Sequence, residues 1–280
     1  MPDAQPVSLH CFAHAGAGVS AFHGWPARLG PGTVPVPHLL PGRDRRRREP
    51  RATTREALLA DLFDGFRAPS GPYVLYGHSL GAMVAYTLAR ALHEAGLPTP
   101  ALLAVGACPP PDAASELADA CRESPDRLLE VLDSAGAVPE GAHPGGLWHR
   151  AVLPVLRDDL ALADSLRRAA RAPVAGGPFA VPLLTVAGDG DPLAPPAAMV
   201  GWARWSGGPV VHHTVAGDHF FLRGHALPGL LGRACRVVAR SPAAAAAGPG
   251  AAAAAGAGDP PAAGAVPAVA GASSGAVAHG

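Results

Sequence analysis

The chain has 280 residues, 49% of them hydrophobic, and its formal net charge is zero. This length suffices for one α/β domain with a substantial core or for two small domains, and the neutral charge argues against nucleic acid or an anionic membrane as the main partner. No apolar run reaches the ~18 residues that a membrane-spanning helix needs.

The first 240 residues alternate between short apolar runs and longer amphipathic ones. Strands are predicted at residues 7–12, 34–40, 73–76, 101–107, 182–187 and 210–215. Helices are predicted at residues 20–29, 55–66 (with Thr53 or Thr54 as cap), 81–95 and 228–240. Strands that alternate with helices predict an α/β fold, in which a mostly parallel central sheet carries helices on both faces.

Two segments fall outside this alternation. Residues 110–172 have a helical pattern without a convincing strand, and we interpret them as a helical lid over the site, with ordinary sheet-covering helices as the alternative. Residues 241–280 are almost wholly Ala, Gly, Pro, Ser and Val, which predicts a disordered tail. The predicted organisation is therefore one domain over residues 1–240, followed by the tail.

The segment Gly77-His-Ser-Leu-Gly81 lies between a predicted strand and a predicted helix. A G-x-S-x-G match in that context is typical of the nucleophile turn of the α/β-hydrolase fold, where small residues let strand and helix approach closely. Ser79 is therefore the predicted nucleophile, on a strained turn. The helix N-terminus adds a positive dipole, and the amide of Leu80 is a predicted oxyanion donor.

A serine nucleophile needs a histidine base and a carboxylate that orients the base, and in this fold the acid precedes the histidine in the chain. The strand at 182–187 runs into Gly188-Asp-Gly-Asp-Pro-Leu193, which offers Asp189 and Asp191. Asp189 is placed to shape the turn, whereas Asp191 lies where the loop presents its side chain to the neighbouring strand end. We favour Asp191 and keep Asp189 as the alternative.

The predicted general base is His219, which lies in the loop after the last strand and is followed by two phenylalanines that can anchor it. Asp218 beside it is a poor choice for the acid, because adjacent side chains diverge. The remaining histidines near the predicted site are interpreted as structural or exposed: His78, His212, His213 and His225.

The second oxyanion donor is expected in a loop after an early strand. The segment Phe12-Ala-His-Ala-Gly-Ala-Gly18 follows the first strand and is rich in small residues, whose amides can face a ligand. We predict that the amide of Ala15 is this donor and that His14 shapes the loop.

Together these residues resemble the type II thioesterases that accompany polyketide and nonribosomal peptide synthetases, over most of residues 7–240. The Pro-Gly-Arg segment, a Leu-Pro-x-Leu-Arg-x-Asp pattern in the lid and the His-Phe-Phe-Leu ending are typical of that family. The matching segments are Cys11-Phe-Ala-His-Ala-Gly16, Leu40-Pro-Gly-Arg43, Gly77-His-Ser-Leu-Gly-Ala82, Leu153-Pro-Val-Leu-Arg-Asp158, 188–192 and Gly217-Asp-His-Phe-Phe-Leu222.

The resemblance implies hydrolysis of acyl groups from the phosphopantetheine arm of an acyl or peptidyl carrier protein, which would remove stalled or misprimed units. It implies Ser79 as nucleophile, Asp191 as orienting acid and His219 as base. The amides of Ala15 and Leu80 would form the oxyanion hole.

Cysteine spacing and the N-terminus bear on cofactors and compartment. The four cysteines show no CxxC and no metal-like spacing, so we expect free thiols and neither a metal nor another cofactor. The N-terminus lacks a secretory signal pattern, which predicts a cytoplasmic protein. We expect a monomer that binds neither nucleic acid nor membrane.

The run Arg43-Asp-Arg-Arg-Arg-Arg48 has two interpretations. It is either a basic edge that steers an acidic carrier protein, or a solvated loop in which Arg43 makes a structural contact. The second interpretation is the favoured one.

Three other functions fit parts of the pattern. A small-molecule carboxylesterase or lipase would use the same triad and prefer esters. A carrier-binding protein with little catalysis is disfavoured by a complete, correctly ordered triad. A chain-terminating thioesterase that cyclises or releases product is disfavoured by the absence of a preceding carrier segment.

Overall fold

The computed structural model describes residues 6–138 and 145–241, apart from the side chains of Cys121 and Pro125. Its strands are β1 (Val7–Phe12), β2 (Thr33–His38), β3 (Tyr73–His78), β4 (Leu102–Gly106), β5 (Leu183–Gly188) and β6 (Val210–Val215). They form one sheet in the order β2-β1-β3-β4-β5-β6, and every neighbouring pair is parallel. The predicted α/β fold with a parallel central sheet is confirmed.

The helices lie between and after the strands, as the alternation predicts. They are α1 (Trp25–Leu29), α2 (Arg55–Gly65), α3 (Leu80–Glu94), α4 (Glu116–Glu123), α5 (Pro125–Ser134), α6 (Leu147–Ala170), α7 (Pro196–Met199) and α8 (Ala226–Ala239). Among the described residues, no helix is long and apolar enough to cross a membrane. The cysteines whose side chains are described are buried free thiols: Cys11, Cys108 and Cys235.

Two predicted elements need correction. The helix predicted over residues 20–29 is wrong as one element, because Gly24 has a φ of +78° and separates a 3₁₀ turn at Val19–Phe22 from α1. The strand predicted over residues 34–40 ends at His38, and the buried side chain of Leu40 then packs into the core on the α2 side of the sheet. The cap of α2 is Thr54, whose hydroxyl oxygen accepts from the amide of Ala57 at 3.2 Å.

Apolar layers cover both faces of the sheet. One layer packs α1 and α8 against the strands, with Trp25, Leu227 and Leu231 in its centre. The other packs α2, α3 and the second half of α6, with Leu58 and Leu88 in its centre. Burial of these side chains is the main source of stability, at about 1.5–3 kcal/mol for each large side chain.

The helix α6 has two environments along its 24 residues. Leu153 and Leu156 in its first half, with Leu160 just past its midpoint, join α4 and α5 in a separate apolar cluster. Leu162 and Leu166 in its second half belong to the main core. The segment interpreted as a lid thus combines a small helical cluster with an ordinary sheet-covering helix, while residues 139–144 within it, like the predicted tail from residue 242 onward, lie outside the described residues.

The carboxyl edge of the sheet positions the candidate site. The chain runs from β1 out to β2 and then returns to place β3 on the other side of β1, so the loops after β1 and β3 lead to opposite faces. Ligand sites of parallel α/β sheets lie at such a reversal, outside the carboxyl ends of the strands. The loops after β5 and β6 reach the same edge.

Candidate active site

The turn at Ser79 is held by direct backbone packing. Ser79 has a φ of +55°, a region that L-residues rarely adopt, between the end of β3 and the start of α3. A Cβ on Gly77 would overlap with the carbonyl of Gly81, and a Cβ on Gly81 would overlap with the carbonyl of Phe12 at the end of β1. Only glycine fits both positions, which explains the spacing of the motif.

Three side chains from separate loops meet at this turn. The Nε2 atom of His219 lies 3.2 Å from the Oγ atom of Ser79. On the other side of the ring, Nδ1 of His219 lies 2.9 Å from Oδ2 of Asp191. The structure therefore brings together the nucleophile, base and acid that the sequence predicts, in the order that proton transfer from the hydroxyl requires.

The two aspartates of the acid loop have different surroundings. Asp191 is only 2% exposed, and its Oδ1 atom also accepts from the amides of Leu193 and Ala194 at 2.9 and 3.1 Å. Asp189 instead accepts from the amide of Gly217 at 2.9 Å and ties the acid loop to the histidine loop. Asp189 thus shapes the loop, and Asp191 is the carboxylate that faces His219.

His78, beside Ser79 in the chain, contacts the backbone of His219, the predicted base. Its Nε2 atom lies 2.8 Å from the carbonyl oxygen of His219, and its Nδ1 atom lies 2.7 Å from the hydroxyl of Tyr76. Since a carbonyl only accepts, Nε2 of His78 carries the proton and Nδ1 accepts from the tyrosine. Complete burial holds the pKa of His78 well below its ordinary value, so the ring stays neutral.

The sequence alone indicates only a structural role for His78. Its partner, the carbonyl of His219, lies 141 positions away in the chain, so no local pattern reveals this contact. The histidine inside the G-x-S-x-G motif was the available signal.

The predicted oxyanion donors border the same space as Ser79. Ala15 in the loop after β1 and Leu80 at the start of α3 both line the cavity that Ser79 and His219 open into. The amide of Leu80 belongs to the first turn of α3, whose N–H groups have no acceptor within the helix. Burial lowers the pKa of His14 from 6.5 to about 3, which fits a neutral ring that shapes the loop.

The cavity has a volume of about 280 Å³ and a mostly apolar wall. Met83 from α3 and Leu132 from α5 line it together with Val152, Leu156 and Leu160 from α6. An apolar chamber of this kind beside a serine suits the hydrocarbon part of an acyl group.

The arginine run divides into buried and exposed members. Arg43 is buried, forms an ion pair with Asp159 on α6, and donates to the carbonyl of Ala17 at 3.0 Å. Arg46 donates to the carbonyl of Leu39 at 2.9 Å and forms ion pairs with two carboxylates. Within residues 6–138 and 145–241, the exposed members form no ion pair: Arg45, Arg47 and Arg48.

Comparisons with known proteins agree on one family. A family model described as a thioesterase domain matches residues 7–235. Thioesterase PikA5 of Streptomyces venezuelae is 30% identical over 227 residues, which cover 77% of this chain and 75% of that protein.

Solved structures lead to the same family. RedJ, a thioesterase from the prodiginine biosynthetic pathway in Streptomyces coelicolor, has a TM-score of 0.70 and 33% sequence identity, and the match covers 83% of this chain and 92% of RedJ. BorB, a type II thioesterase from the borrelidin biosynthetic cluster, has a TM-score of 0.67 and 30% identity, covering 84% of this chain and 94% of BorB.

Proposed function

This chain belongs to the thioesterase family, and we propose that it hydrolyses acyl thioesters on the phosphopantetheine arm of an acyl or peptidyl carrier protein. The observation that carries the proposal is the continuous path from the Ser79 hydroxyl through His219 to Asp191, with separations of 3.2 and 2.9 Å, where Ser79 and His219 line a mostly apolar cavity. The pathway names of RedJ and BorB support a carrier-bound substrate.

The first half of the reaction transfers the acyl group to the enzyme. The Oγ atom of Ser79 attacks the thioester carbonyl carbon while its proton passes to Nε2 of His219. The carbonyl oxygen becomes an oxyanion that the amides of Ala15 and Leu80 stabilise. When the carbon–sulfur bond breaks, the departing thiolate takes the proton from His219, and the acyl group remains as an ester of Ser79.

The second half releases the acid. His219 removes a proton from water, which attacks the ester carbonyl and forms a second tetrahedral oxyanion. The bond to Ser79 Oγ then breaks, and the serine recovers its proton from His219. Asp191 accepts from Nδ1 of His219 throughout and stabilises the imidazolium that forms in each half.

The proposed lid lies within residues 110–172. We assign α4, α5 and the first half of α6 as the lid that closes the acyl cavity, and the domain as residues 1–240. The carrier itself would remain outside, with only its arm and acyl group entering.

The test compares three substrates with one acyl group: a carrier-bound thioester, a free pantetheine thioester and a simple ester. We expect the carrier-bound thioester to have the highest kcat/KM and Ser79→Ala to abolish turnover of all three. Faster turnover of the ester, without any advantage from the carrier, would instead identify a small-molecule carboxylesterase.

A further inference from the structure

The loop of residues 13–18, which carries the predicted oxyanion donor, is held from outside by two buried charges. The amide of Gly16 donates to Oδ2 of Asp159 at 2.6 Å. Nη1 of Arg43 donates to the carbonyl of Ala17 at 3.0 Å, and its Nη2 pairs with Oδ1 of the same aspartate. Asp159 is 1% exposed and Arg43 is 8% exposed, so these contacts are shielded from water.

These contacts fix the amide of Gly16 and the carbonyl of Ala17, which follow Ala15 in the chain. Gly16 has a φ of +77°, and its amide belongs neither to the sheet nor to a helix, so its bond to Asp159 lies outside the regular secondary structure. An oxyanion donor works only when its N–H is already aimed at the developing charge, and a loop of small residues does not hold that direction by itself.

The two charged residues come from different parts of the fold. Arg43 follows β2, whereas Asp159 lies at the middle of α6, between Leu156 and Leu160, which pack with α4 and α5. A buried ion pair is weak evidence for stability, because the cost of desolvating both charges can exceed their attraction. Because both charged side chains contact the same loop of the proposed active site, we consider a role for the pair other than stability.

We propose that Asp159 and Arg43 are positioning residues that hold the amide of Ala15 toward the oxyanion and make its alignment depend on the position of α6. Neither residue touches the reacting atoms. When the middle of α6 packs against the loop of residues 13–18, Asp159 fixes Gly16 and the oxyanion hole is complete. The inference rests on the proposed function only in requiring that Ser79 forms a tetrahedral oxyanion.

The test compares Asp159→Asn and Asp159→Ala with a matched control, Asp158→Asn. Asp158 is the adjacent carboxylate on α6, its side chain is 44% exposed, and it pairs with Arg51 instead of the loop. With a soluble acyl thioester, we expect the Asp159 variants to lower kcat by about tenfold or more while KM stays within about threefold, as for loss of a transition-state interaction. The alanine variant should lose more, because asparagine keeps an oxygen that can accept from Gly16.

A second measurement separates positioning from a general structural role. A trifluoromethyl ketone analogue of the thioester adds to a serine nucleophile and places an oxyanion in the hole. Its inhibition constant should rise in each Asp159 variant by the factor that kcat falls, and stay unchanged in Asp158→Asn. A fall in kcat without that rise, or a folded Asp159→Asn enzyme with wild-type kcat, would overturn the inference.

Unfolded variants and an enzyme inactive on thioesters are two outcomes that require separate measurements. If the variants do not fold, the Gly16 amide of the wild-type protein is observed by NMR, where we expect a downfield shift and slow exchange; exchange at the rate of a free loop amide contradicts the inference. If the wild-type enzyme cleaves esters but no thioester, the proposed function fails, yet the same comparison on an ester still tests Asp159, because both reactions pass through an oxyanion.

Discussion

Asp189 and Asp191 show how two like residues in one loop acquire different tasks. The turn at Gly190 separates them, and Asp189 accepts from the histidine loop's backbone while Asp191 points at the ring of His219. Two amides also donate to Asp191, and these contacts fix the direction of its carboxylate. The roles follow from the partners that each carboxylate contacts.

We predict that Asp191→Asn lowers kcat by about 10²–10⁴-fold, because an amide in place of the carboxylate no longer holds His219 in the tautomer that accepts the serine proton. The measurement is steady-state turnover of a pantetheine thioester. KM should change little, since Asp191 contacts His219 and is not among the residues that line the cavity.

Asp189→Asn is the control within the same loop. It keeps an oxygen that can accept from Gly217, so we expect a much smaller loss of kcat. A greater loss at Asp189 than at Asp191 would reverse the assignment of the orienting acid.

Residue identities at the site were predictable where a local pattern accompanied them. Ser79 and His219 each follow a strand and stand in a recognisable loop, and the order of acid and base is set by the fold. The Leu-Pro-x-Leu-Arg-x-Asp pattern ends at Asp159, but it did not reveal the contact of Asp159 with Gly16, which lies 143 positions earlier. Contacts of that kind depend on the packing of α6 over the sheet edge.

At the scale of elements, the crossing of α1 and α8 depends on one glycine. Gly232 faces α1 so closely that a Cβ there would overlap with the carbonyl of Leu29. Gly229, three residues earlier on α8, has only the flexible end of Arg233 within contact distance. The same substitution at these two positions should therefore have opposite effects.

We predict that Gly232→Ala lowers the free energy of unfolding by about 1–3 kcal/mol, because α1 and α8 must move apart. Gly229→Ala should raise the free energy of unfolding by up to about 1 kcal/mol, because alanine is the better helix former. Urea unfolding of both variants measures this. Equal effects at the two positions would show that the helix crossing does not depend on close backbone contact.

The arginine loop after β2 provides a test of carrier recognition. Arg46 is unsuitable for charge reversal, because it pairs with Glu49 and Asp61 and its loss would disturb the loop. Arg47 and Arg48 are exposed in the same loop as Arg43, which donates to the carbonyl of Ala17 in the loop after β1. Their charges are available to an acidic partner.

We predict that the double reversal Arg47→Glu with Arg48→Glu lowers kcat/KM for a carrier-bound thioester at low salt, since rim charges act mainly on association. The loss should shrink as salt screens the interaction. A pantetheine thioester should be cleaved at the wild-type rate. The kinetics are measured at two ionic strengths.

The matched control is Arg233→Glu on α8 with Arg240→Glu at its C-cap, which changes the net charge equally at two exposed positions. It should leave the carrier-bound rate unchanged. Equal losses in both double variants would mean that the carrier responds to net charge alone, and an equal loss with the pantetheine thioester would remove the carrier interpretation of this loop.

Across the whole molecule, the alternation of strands and helices predicted the sheet and its two covered faces. It did not predict the interruption at Gly24, whose left-handed backbone conformation divides an otherwise helical pattern. It also could not divide residues 110–172, because a helix that covers a sheet and a helix that covers a cavity present similar apolar spacing. The distinction depends on which surface each half of α6 meets.

The molecule also buries several histidines in neutral form. His10 on β1 and His38 on β2 lie with Nδ1 and Nε2 2.8 Å apart, and their rings stack at 5.1 Å. Burial, together with the charge of His38 in the case of His10, lowers the pKa of each from 6.5 to about 4. Protonation of either ring in the folded state would bring an uncompensated charge into a buried or half-buried position.

This burial predicts that stability falls as the pH drops from about 6.5 to about 4. In that window His10 and His38 are protonated in the unfolded chain but stay neutral in the native state. The free energy of unfolding therefore decreases by up to about 1.4 kcal/mol per pH unit for each ring. Stability from this source is fully present above pH 6.5. Urea unfolding between pH 7.5 and pH 4.5 should show a shallower slope for His10→Gln with His38→Gln than for the wild type, because glutamine does not titrate. Carboxylates contribute equally to both proteins, so an identical slope would place the acid sensitivity elsewhere in the fold.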